Sequence, residues 1–73
     1  MKNLDHYDRA IIHYLANHGA ANTNEIAENA RSDVYPKRNI SWATAEKHLK
    51  KLQKMGYIEA NNDDKVTYWD LIQ

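Results

Sequence analysis

Four lysines within one short stretch, Lys47, Lys50, Lys51 and Lys54, form the densest group of chemistry-bearing side chains in this 73-residue chain. At about 100° per residue, Ala43, Lys47, Lys50 and Lys54 project from one side of a helix, with Thr44 and Lys51 beside them. Ala45, Leu49 and Leu52 fall on the opposite side. A rod built this way has one face that can be buried and another that offers positive charge and hydrogen-bond donors. Lys37 and Arg38 lie just ahead of it. The other reactive side chains do not assemble a catalytic pattern. His6, His13, His18 and His48 lack the HxxxH spacing of a metal site, and no cysteine or close acidic cluster supports them. His18 stands before Gly19, where a cation at a helix end favours the dipole. Asp5 and Asp8 read as a helix start, and Asp63 and Asp64 as a turn. With two glycines in the chain there is no phosphate-cradling loop, and no nucleophile elbow is visible. The expectation is a protein that is not an enzyme, with no metal and no cofactor.

The charge balance singles out the same region. The formal net charge is zero, yet residues 31–54 carry Arg31, Lys37, Arg38, Lys47, Lys50, Lys51 and Lys54 against Asp33 and Glu46, a balance of +5. The flanking segments are acidic and neutralise it. A chain of this length has room for one domain, and so small a domain buries only about 60% of its unfolded surface. No cysteine is available for a disulfide, which suits a reducing compartment. No apolar run approaches the ~18 residues needed to cross a membrane, and Met1 to Asp5 lack the apolar stretch of a signal peptide. A cytoplasmic protein without a membrane partner is expected.

These side chains need elements to hold them. A first helix is predicted over about 5–17, with Asn3 or Asp5 as cap, a stripe of Tyr7, Ile11, Tyr14 and Leu15, and Gly19 as the stop. A second, over about 23–30, starts after Asn22, with Glu25 placed to complete a capping box. Ile26, Ala27 and Ala30 give it a narrow apolar face. Residues 31–40 read as a loop, because Pro36 disfavours helix at Tyr35. The third helix, about 42–55, starts after the cap Ser41 and ends at Gly56, with Trp42 expected to turn toward the core. Alternation then predicts a strand over 57–60, a turn over 61–64 and a return strand from Lys65 to Ile72. Thr67, Trp69 and Leu71 share one face of the return strand, and Trp69 and Leu71 are expected to seal the hairpin onto the helices. Tyr35 and Tyr68 are candidates for exposure.

Three helices followed by a hairpin, all within residues 1–73, give an α+β fold that resembles the winged helix-turn-helix family, in particular small bacterial and archaeal regulators of the multiple-antibiotic-resistance and arsenic-repressor type. The stretches that carry the resemblance are TNEIAENA, SWATAEKHLKKLQKMGYIEA and KVTYWDLI. It implies a three-helix bundle with a C-terminal β-hairpin wing over 57–72, and sequence-specific binding of double-stranded DNA as a transcription regulator. The third helix would enter the major groove. On that pattern Ala43, Thr44 and Lys47 are the base-reading candidates, and Lys37, Arg38, Lys50, Lys51, Lys54 and Lys65 are the phosphate-contact candidates. Two features depart from the family. The 31–40 connection is long for a helix-turn-helix, and the wing tip is acidic. Asp63 and Asp64 would repel phosphate, so the wing is expected to stay off DNA or to touch it through Asn61, Asn62 and Lys65.

The competing reading is a winged helix that docks proteins or dimerises without touching DNA, since fold does not dictate function. Zero net charge and the acidic wing favour it; the basic third helix disfavours it. A homodimer on a palindromic site combines the two, with helix one or the outward hairpin face of Val66, Tyr68 and Ile72 as its interface. No residue pattern identifies a small-molecule effector.

Overall fold

In the computed structural model, which describes residues 4–72, Asp5 opens helix α1 (His6–His18) through a reciprocal cap. Its carboxylate accepts from the Asp8 amide at 2.9 Å, and its own amide donates to Asp8 Oδ2 at 3.1 Å. Asn3, the other capping candidate, lies outside the described residues. Gly19 ends the helix at φ 93°, with its amide donating to the Leu15 carbonyl.

Next comes an element that the sequence pattern did not announce, strand β1 (Ala21–Asn22). Two residues are too few to show alternation, so the strand is visible only through its partner. Asn22 also caps helix α2 (Thr23–Asn29), its Oδ1 accepting from the Glu25 amide at 2.8 Å. The return half of the expected capping box is not formed. The Glu25 carboxylate instead lies 3.9 Å from His18 Nε2.

Helix α3 (Trp42–Lys54) follows the 31–40 loop, capped by Ser41, whose Oγ accepts from the Thr44 amide at 3.2 Å. Gly56, at φ 86°, turns the chain into strand β2 (Ile58–Asp63). Strand β3 (Val66–Leu71) returns antiparallel, in register from Ile58↔Leu71 to Asp63↔Val66. The hairpin turn is therefore Asp64–Lys65, not 61–64 as the alternation suggested. Both turn residues have positive φ, 49° and 74°, as a two-residue type I′ turn requires. Asn61 and Asn62, weak strand formers, are carried into β2 by pairing with Tyr68 and Thr67. β1 pairs with the other edge of β3, Ala21 opposite Trp69, giving the sheet order β1-β3-β2.

One core joins the layers. Ile11 and Leu15 of α1, Ile26 of α2, Leu49 and Leu52 of α3 and Ile58 of β2 are buried, each burial contributing about 1.5–3 kcal/mol. Trp69 closes the core from the sheet side at 5% exposure, and its indole N–H donates to Thr23 Oγ1 at 3.0 Å. Leu71 is partly buried and packs against the same core. Val66 and Ile72 face outward and are exposed, while Tyr68 is half-buried. The strand phase read from alternation is thus the observed one. No helix among the described residues is long and apolar enough to cross a membrane.

Candidate nucleic-acid interface

The orientation of α3 follows from its buried side. Ala45, His48, Leu49 and Leu52 face the core, so the helical angle places Ala43, Lys47, Lys50 and Lys54 on the outer crest. All four are exposed. Lys47, Lys50 and Lys54 form no ion pair with any described residue. Thr44 is half-buried on one flank, and its Oγ1 accepts from the Ser41 hydroxyl at 2.8 Å, which leaves its own O–H free to donate.

Lys51, on the same flank, is held differently from its neighbours. Its ammonium lies 2.5 Å from Oδ2 of Asp8, whose side chain is fully buried. The other Asp8 oxygen is 2.9 Å from Nδ1 of His48, and Asp5 Oδ2 stands 3.7 Å from the same nitrogen. Asp8 was expected only as a helix start; it also pins α1 to α3 through two α3 side chains. The hydrogen bond and charge of Asp8 raise the Lys51 pKa above its usual 10.5. Burial pushes the Asp5 carboxyl up, but the Asp8 amide and the charges of His48 and Lys51 outweigh it, and its pKa falls below the usual 3.8. Asp5, Asp8 and His48 bring ligand atoms within 4.8 Å of one another, a grouping that spacing along the chain concealed. The Lys51 ammonium already supplies positive charge to it.

The opposite flank of α3 overturns one expectation. Trp42 is 51% exposed and not part of the core. Ile40 and Ala45 already fill the core at that end of the helix. Trp42 instead stands at an open cleft of about 650 Å³ between α3, the start of α2 and the wing. Glu46 and Lys50 line the cleft from α3, Asn22 from the α2 cap, Asn24 from α2, and Asn62, Lys65 and Thr67 from the wing. Trp42, Glu46 and Lys50 are one helical row at i, i+4 and i+8. That periodicity is legible in the sequence, and the row shares Lys50 with the lysine stripe.

The 31–40 loop has no helix or strand, yet it is anchored. Ser32 is buried, and its Oγ accepts from the Val34 and Tyr35 amides at 2.9 and 3.3 Å and lies 2.6 Å from His6 Nδ1. The Tyr35 ring stands edge-on to His6, and the Arg38 guanidinium lies over Tyr35 at 5.7 Å. The Ile40 amide donates to the Ala27 carbonyl. Lys37 and Arg38 are thereby held, exposed, just ahead of the α3 N-terminus, while Lys65 is exposed at the wing turn. The sequence-predicted cations thus fall on α3 itself and on the loop and the wing turn beside it.

No protein-family model matches this chain, and no curated protein matches it. Among solved structures, it is similar to the Zα domain of Carassius auratus PKZ, crystallised in complex with Z-DNA. The match has a TM-score of 0.72 at 24% sequence identity, and covers 90% of this chain and 92% of that one. With the helix order and the wing described above, this likeness makes the fold a winged helix.

Proposed function

We propose that this chain binds double-stranded DNA through the exposed crest of α3 and acts as a sequence-specific transcription regulator. The observation that carries the reading is the crest itself. Three lysines are exposed there without an ion-pair partner among the described residues, on a helix whose apolar side is fixed to the core. A helix fits the major groove, and cations left free of partners in the protein are available to phosphates. Ala43, Thr44 and Lys47, near the N-terminal end, would face base edges. Lys50 and Lys54 would meet phosphates, with Lys37 and Arg38 on one side and Lys65 on the other. Lys51 would have to share its ammonium between Asp8 and a phosphate, so it contributes least. The regulatory role rests on the sequence resemblance to small regulators, and two copies on a palindrome would double the contacts of one 8.5 kDa domain. The Z-DNA bound by the Carassius auratus PKZ domain favours a second reading, in which the preferred duplex is left-handed.

Fluorescence anisotropy with a labelled mixed-sequence duplex and an alternating cytosine–guanine duplex, at several salt concentrations, tests both. The expected result is an affinity that falls with salt, with a log–log slope of about 0.9 per phosphate contact. Lys47→Ala/Lys50→Ala should weaken binding and reduce that slope by about 1–2. Tighter binding to the alternating duplex, with inversion of its circular dichroism, supports the left-handed reading. Affinity indifferent to salt, or unchanged in the double variant, overturns the assignment to α3 and returns the wing or α1 as a protein-docking surface.

A further inference from the structure

Among the described residues that line the cleft, Glu46 is the one acidic side chain. It is half-buried between Trp42 and Lys50 on the same helical row, with Asn22, the α2 cap, and Asn24 of α2 across the cleft and Lys65 across it on the wing. A Glu four residues before a Lys ordinarily forms a helix-surface pair, yet Glu46 lies within 4 Å of no lysine, arginine or histidine nitrogen among the described residues. Its carboxylate is therefore available to a ligand. It is repelled by phosphate, so the favourable partner it can take from DNA is a base-edge donor. In the major groove a carboxylate accepts from the exocyclic amine of cytosine. Lys50, one turn on, and Lys65, at the wing tip, are placed for the charges of the strand that carries that base. Lys65 holds a left-handed backbone, φ 74°, at a turn position where glycine is the easier residue; a cationic residue thus lines the cleft at the expense of local strain.

Resting on the DNA-binding reading above, we infer that Glu46 is a base-selecting residue, its carboxylate accepting from the N4 amine of a cytosine while Lys50 and Lys65 hold the adjoining phosphates. Glu46 then does two things at once. It lowers affinity for duplex in general and raises discrimination at one position.

The test is selection from a randomised duplex pool with the wild-type protein, Glu46→Gln and Glu46→Ala, followed by affinity measurements on the selected duplex and on versions with each base replaced. The wild type should enrich a cytosine at one position. Both variants should lose about tenfold in discrimination at that position alone and bind an unselected duplex more tightly than the wild type. Glu46 makes no ion pair and is not in the core, so thermal unfolding of the variants should match the wild type. A wild type that binds duplex, with variants that select the same sequence to the same degree, overturns this inference and leaves the DNA-binding reading standing. A wild type that binds no duplex at any salt concentration overturns both.

Discussion

Asp8 shows what a single residue contributes to this molecule. Its carboxyl group is fully buried, with His48 and Lys51 meeting its two oxygens and the Asp5 amide adding a hydrogen bond. A buried charge is tolerable only when it is paired this completely. The consequence falls on α3, since both partners belong to it, and the cluster fixes which side of that helix faces outward. Replacing Asp8 with Asn keeps the shape and removes the charge. Breaking a buried pair costs about 3–5 kcal/mol, a large part of the stability that a domain this small can hold. Urea denaturation should therefore show Asp8→Asn largely unfolded or shifted by several kcal/mol; a shift below about 1 kcal/mol would mean that the pair does not organise the α1–α3 contact. Trp69 plays a comparable part on the sheet side, where its ring fills the core and its N–H meets Thr23 at the start of α2.

At the scale of elements, the helices were legible in the sequence because each carries local signals: caps at Asp5, Asn22 and Ser41, stops at Gly19 and Gly56, and apolar stripes of period 3.6. The phase of β3 was legible from Thr67, Trp69 and Leu71. What escaped was non-local. β1 exists because Ala21 and Asn22 lie against Trp69 and Tyr68, partners distant in the chain whose pairing no local pattern records. Asn61 to Asp63 read as a turn by composition and became strand by pairing. Trp42 read as core from its type, and its place at the cleft mouth depends on Ile40 and Ala45 having filled the core first. Of the candidate site, the lysine crest was visible and the cleft beside it was not, because the cleft is made by three segments that meet only in the fold. The wing turn offers a test at this scale. Asp64→Asn/Lys65→Gly replaces two residues at positive φ with the pair that a type I′ turn favours, and should raise stability by about 1 kcal/mol. If Lys65 meets phosphate, the same variant should bind duplex less tightly. A hairpin that gains stability while DNA affinity stays constant would take the wing turn out of the interface.

For the whole molecule, zero net charge conceals a division of labour. The cations gather on and around α3 while the acidic residues lie largely elsewhere, and the cluster of Asp5, Asp8, His48 and Lys51 sits at the seam. Stability should follow the pKa shifts of that cluster. The Asp5 pKa is depressed on folding, so its contribution is present above the unfolded value near 3.8 and is lost as pH falls through the lower folded value. The Lys51 pKa is raised, so its contribution is complete below the unfolded value near 10.5 and is lost as pH rises through the higher folded value. Denaturation midpoints measured from pH 3 to pH 11 should show a plateau between two falling limbs, and Lys51→Met should flatten the alkaline limb. An alkaline limb that is the same in Lys51→Met and wild type would place its origin outside this pair.

The central claim is that one amphipathic helix, fixed to the core by its leucines and by Asp8, presents its lysine crest to duplex DNA. Amide chemical-shift mapping during titration with a mixed-sequence duplex tests it most directly. The account predicts salt-sensitive shifts concentrated on residues 41–54, with smaller ones at Lys37, Arg38 and the Asp64–Lys65 turn. Shifts confined to α1 or to the outward face of β3, or none on any surface, would contradict it.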